Sequence, residues 1–176
     1  MNKLIKTFAA ASLLTVSAGT MAATQGTSGA TSTGTADITL TIANVIQITN
    51  MDDFTFNYTG AGSTLSVTDP ICIYTNVTAG TFDVSATGSR TDDATDTSFT
   101  IDNNGASTDT IAYTVNVNGT ALVAGAAAVS VGGADTTSAT CANTMSNLTI
   151  AMSETDVQAV PAGTYDGTVS ITVAAQ

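Results

Sequence analysis

The chain has 176 residues, 14 of them acidic and 3 basic, with no His, no Trp and a formal net charge of −11 at pH 7. Without imidazole there is no Ser-His-Asp or Cys-His nucleophile, no His-based acid–base relay and no His metal site. The three bases, Lys3, Lys6 and Arg90, exclude a surface built to hold nucleic acid or an anionic membrane.

Met1-Asn2-Lys3-Leu4-Ile5-Lys6 is a short positive segment, followed by an apolar run from Phe8 to Val16 and small residues from Ser17 to Ala23. That order is expected of a secretory signal peptide, residues 1–22, cleaved after Ala22. The alternative, a membrane helix, needs about 20 apolar residues and the run is shorter. The exported chain then holds Arg90 alone against 14 acids, a net charge of −13. Solubility outside the cell is the plain reading of that acidity.

Ala23 to Gly34 is a Thr/Ser/Gly/Ala leader with no apolar period. Ile38, Leu40 and Ile42 then share one face of an alternating segment, and Ile46 and Ile48 resume that parity after Asn44. A single strand over 36–49 would be about 45 Å long, so two strands are expected, at 35–43 and 45–50. Alternation continues at Phe54 and Phe56, in 63–68, in the apolar run 71–74 and in 80–87. Phe99 and Ile101 precede the turn-forming Asp102-Asn103-Asn104-Gly105. A strand over 109–117 should turn at Asn118-Gly119 into 121–123, and further strands are expected over 147–152 and 164–174. Glu154 to Val160 has room for one helical turn before Pro161. The expected fold is all-β, an immunoglobulin-like antiparallel β-sandwich. The segment 23–44 is a leader, and 45–176 is the domain.

Cys72 and Cys141 lie 69 residues apart in the exported part, where disulfides form and persist. An intrachain bridge is expected, worth about 4 kcal/mol in the chain-entropy model. Two free thiols or a bridge between chains are the alternatives. Asp92-Asp93 with Asp96, and Asp102-Asn103-Asn104, offer oxygen ligands near turns. Neither has the spacing of a calcium loop, and both read as turn formers. Asn57, Asn76, Asn118 and Asn147 each begin an Asn-x-Thr triplet, which arises easily in a Thr-rich chain. No motif supports an enzyme, and no cofactor is expected.

The C-terminal run Pro161-Ala162-Gly163-Thr164-Tyr165-Asp166-Gly167-Thr168-Val169-Ser170-Ile171-Thr172-Val173 resembles the ending of chaperone–usher pilin subunits, in particular the spore coat protein U-like group of archaic pilins. Thr35 to Val45, Phe54-Thr55-Phe56 and Ser66 through Asn76 resemble the start of the same group. Residues 88–146 share only its general character. Members often carry a cysteine soon after the donor segment, and Val45 to Asp53 has none; Ala175 stands where better-known pilins have a penultimate Tyr.

The resemblance implies an incomplete sandwich and a fibre built by strand exchange. Ile38, Leu40 and Ile42 would form the donor strand, entering a groove of the next copy lined by Val169, Ile171 and Val173. The implied partners are the chain itself, as a head-to-tail homopolymer, a periplasmic chaperone and an outer-membrane usher, with passage through the periplasm to the cell surface. From periodicity alone, 35–43 is equally an ordinary first strand of its own domain. The chain would then be a self-contained extracellular adhesin module binding carbohydrate or calcium.

Overall fold

The computed structural model describes residues 23–90, 95, 97–103 and 106–176. The expected signal peptide, the Asp92-Asp93-Asp96 cluster and Asn104-Gly105 lie outside these residues. The chain divides into two units, one ending at Ile42 and one running from Ala43 to Gln176. In the first, Thr24 and Thr35 exchange two backbone hydrogen bonds of 3.0 Å. No strand forms over 36–42, contrary to the alternating pattern. Alternation sets which side chains would share a face, but a strand also needs a neighbour for its main chain.

Among the described residues the second unit holds nine strands and one helical turn. They are β1 (Ile46–Thr49), β2 (Ser66–Thr75), β3 (Thr81–Arg90), β4 (Thr100–Asn103), β5 (Ala106–Val117), β6 (Thr120–Leu122), β7 (Val129–Gly132), β8 (Ser146–Met152), α1 (Glu154–Gln158) and β9 (Tyr165–Ala175). All strand pairs are antiparallel. One layer runs β1-β2-β8-β5, with β6 also on β5, and the other runs β9-β3-β7. β4 pairs with both β5 and β9 and joins the layers along one side. This is the expected all-β, immunoglobulin-like antiparallel sandwich.

The core forms where the inward residues of the two layers meet. Ile71, Ile73, Val115, Val117, Leu148 and Ile150 come from one layer, and Phe82, Val84, Ala86 and Val131 from the other. Phe82 and Ile71 are wholly buried. The period-two burial of β3, from Phe82 to Gly88, is what a strand with one face on a core produces. β2 joins two segments that the sequence suggests are separate, 63–68 and 71–74, by running through Pro70. Proline cannot donate to a ladder. It falls where β2 changes partner, from β8 over 66–71 to β1 over 72–75.

Cys72 and Cys141 form the expected intrachain disulfide, with Cα atoms 5.5 Å apart. The loop carrying Cys141 is almost entirely small and polar, and it is organised by Asp135. The Asp135 main chain bonds to Ile73 and Thr75 of β2, beside Cys72. Its buried carboxylate accepts five hydrogen bonds: from the Thr137 amide and hydroxyl and the Ser138 amide on one oxygen, and from the Asn143 and Thr144 amides on the other. These donors, Thr137 foremost, hold the carboxyl far below the ordinary aspartate value of 3.8.

A second constraint lies at Gly88, where the amide donates to Thr97 at 2.9 Å. A Cβ there would run into the Ser98 carbonyl. Gly88→Ala should therefore destabilise the fold by about 1–3 kcal/mol, as overpacking does, read by denaturant titration. Asp135→Asn keeps one acceptor but points an NH2 at the Asn143 and Thr144 amides. Because the folded-state pKa is lowered, the carboxylate's contribution is present above 3.8 and is lost as pH falls below it. The variant should be less stable than wild type at pH 7, and the gap should narrow in unfolding curves taken below pH 3.8.

Candidate functional site

Among the described residues no strand joins the layers on the side of the sandwich opposite β4. β9 pairs along one edge with β3 from Gly167 to Ala175 and meets β4 only at Tyr165 and Asp166, which leaves a second edge. Among the described residues that second edge has no strand partner from Gly167 onward. β1 likewise pairs only with β2. The two free edges face one another. They draw close at one end, where Asn44 Nδ2 donates to the Gln176 main-chain carbonyl at 2.8 Å. Gln176 is itself held through its side-chain amide by Asp83 and Ser130.

Away from that end the edges part around a cleft of about 1080 Å³ lined by apolar and polar residues together. One wall is the segment after β1. Asn50, in the left-handed region at φ 59°, turns the chain there, and its side chain donates to the Pro70 carbonyl at 3.0 Å. The Asp52 amide donates to Asp69 Oδ2 at 2.9 Å, and Tyr58 accepts from Gln158 of α1 at 2.7 Å. So held, 51–58 is extended but belongs to no strand, with Phe54, Phe56 and Tyr58 half-buried and the residues between them exposed. The opposite wall is the Pro161–Val169 run. Its turn is fastened by the Tyr165 hydroxyl, which donates to the Pro161 carbonyl at 2.8 Å. That bond gives the Pro-Ala-Gly-Thr-Tyr motif a physical role, the anchoring of a strand's start to the loop before it.

The floor includes Tyr113, Ile111, Ile150 and Met152. Tyr113 stacks on Phe99 with ring centroids 5.5 Å apart and donates to the Thr168 carbonyl at 3.3 Å. Burial pushes its hydroxyl up to about 12.

Val169 lines the cleft. Ile171 and Val173 lie on the same face of β9, half-buried against the core beyond the cleft. Ile38, Leu40 and Ile42 are 96%, 80% and 73% exposed. Phe54 and Phe56 read in the sequence as a strand, and the structure makes them a cleft wall. Tyr113 and Met152 as cleft residues carry no sequence signal beyond ordinary inward alternation. Of the Asn-x-Thr asparagines, Asn76 and Asn118 have their side-chain amides engaged within the fold, on Ala43 and on Gly132 and Ser146. Among the described residues no group of three His, Cys, Asp or Glu could hold a metal ion. None of the described helices is long and apolar enough to cross a membrane.

No family model and no curated protein matches the chain. Among solved structures it is similar to a chain described under "Chaperone-tip adhesin complex is vital for synergistic activation of CFA/I fimbriae biogenesis", at 17% identity and a TM-score of 0.47. The match covers 74% of this chain and 41% of that one, so the chain spans under half of that neighbour's length.

The raised Tyr113 value sets an alkaline limit. Above the ordinary tyrosine value of 10.0 the unfolded chain loses a proton that the folded chain keeps, so stability falls as pH rises from 10.0 toward about 12. Absorbance titration of the four tyrosines should show one late component near 12, removed by Tyr113→Phe.

Proposed function

We propose that this chain is a structural subunit of a surface fimbria or coat, which polymerises by adding the 35–43 segment of one copy to the free edge of β9 in the next. The observation that carries the reading is that free edge, Gly167 to Ala175, beside a cleft whose lining includes Phe54, Phe56, Tyr113, Ile150 and Val169. An unpaired edge offers main-chain donors and acceptors to any extended segment, and pockets for alternate side chains add selectivity. Val169, Ile171 and Val173 repeat every second residue, as do Ile38, Leu40 and Ile42. Burying each donor side chain would stabilise the joint by roughly 1.5–3 kcal/mol.

Such a contact is heterologous. The donor and acceptor are different surfaces of one chain, so repetition makes a fibre unless it closes into a ring. The resemblance to coat protein U-like pilins supplies the rest of the reading. A free edge is an aggregation hazard, and a periplasmic chaperone would cover it until an outer-membrane usher delivers the next subunit. Export through the periplasm to the cell surface fits the N-terminal sequence. In this reading the chain has no enzymatic activity.

Leu40→Asp tests the proposal at the centre of the stripe. Leu40 is 80% exposed, so its replacement should leave the melting curve of the monomer unchanged. Electron microscopy and sedimentation of the variant should show monomers where wild type forms fibres. Fibres of wild-type length from the variant would overturn the donor assignment.

A further inference from the structure

We infer that the joint between subunits is opposed by like charge on both sides, so that association is gated by ionic strength; this rests on the donor–cleft reading above. Residues 23–176 carry all 14 acids and one base, Arg90. The cleft walls include Asp52, Asp53 and Asp166, and no Lys or Arg lines them. All three acids are exposed. The donor segment 35–43 has a single charged residue, Asp37. Arg90, opposite Gly167 on β3, is the one base near the start of β9, and the charges that line the cleft and the donor segment are all negative.

Reach decides how far this matters. A nine-residue extended segment is about 30 Å long. At 0.01 M salt the Debye length is also about 30 Å, so every carboxylate of the joint opposes Asp37 wherever it lands. At 0.15 M it is about 8 Å, and only the nearest charges count. Like charge acts mainly on the rate of encounter, whereas the apolar stripe acts on retention.

The test uses the 23–176 chain carrying Leu40→Asp, whose own extension cannot compete, and a fluorescent peptide of residues 33–45 with blocked ends. Stopped-flow anisotropy would give the association rate between 10 and 300 mM NaCl. The expected result is a rise of about tenfold, reduced to under about twofold for the D37N peptide and partly flattened by Asp52→Asn/Asp53→Asn in the protein. Binding at a salt-independent rate would overturn the electrostatic gate and leave the donor reading intact. An equal rise for the D37N peptide would also overturn it, since salt would then be acting on apolar contact alone. No binding at any salt, with the protein folded, would overturn the donor reading and this inference together.

Discussion

The second, unpaired edge of β9 is the constraint around which the rest of this sandwich is arranged. A strand in a closed sandwich spends the hydrogen bonds of both edges; β9 spends one edge on β3 and, from Gly167, leaves the other without a strand partner among the described residues. The neighbouring features follow from that. Among the described residues the layers are joined by β4 on one side only. Val169, Ile171 and Val173 are only half-buried although they belong to the longest strand pairing among the described residues. The wall after β1 stands off from β9 and is fixed by side-chain bonds from Asn50, Asp69 and Gln158 in place of a ladder.

The same edge shows why the apolar pattern of the early chain is so long. Ile38, Leu40, Ile42, Ile46, Ile48, Phe54, Phe56 and Tyr58 are all even-numbered, against Ala43, Val45 and Met51 at odd positions of the same stretch. Only Ile46 and Ile48 sit in a strand. Phe54, Phe56 and Tyr58 use the parity to face the cleft, and Ile38, Leu40 and Ile42 hold it while exposed. Alternation is a statement about faces, and a face can be satisfied by a strand partner, by a cavity wall or, in the proposed assembly, by another molecule.

That distinction marks what was legible in the sequence. The strands over 80–87, 109–117, 147–152 and 164–174 were legible because each buries one face against the core, and burial is what alternation records. The disulfide was legible from two cysteines in an exported chain. β7 was not: Val129 and Val131 sit in an Ala/Gly-rich stretch where only Val131 is buried. Nor was Asp135. Its role depends on donors up to nine residues away, and only the folded loop brings them to one carboxylate. The cleft was illegible for a related reason. Tyr113, Ile150 and Met152 look like core residues, and whether they meet a core or a cleft depends on how the segments around them fold.

A free apolar edge is a liability in any soluble chain, because a second edge of the same kind can pair with it without regard to sequence. Natural sheets blunt such edges with charge, and here the blunting is spread over the whole surface, 14 acids against one base in residues 23–176. Repulsion of that kind falls on every encounter between copies, edge to edge included. It can be overcome only where a contact returns enough apolar burial in register, and Ile38, Leu40 and Ile42 are the largest set of exposed aliphatic side chains in the described chain that repeats at strand spacing. Acidity and stripe then act as one device in the proposed assembly. The charge discourages unspecific pairing of β9, and the stripe selects the one segment whose burial outweighs it.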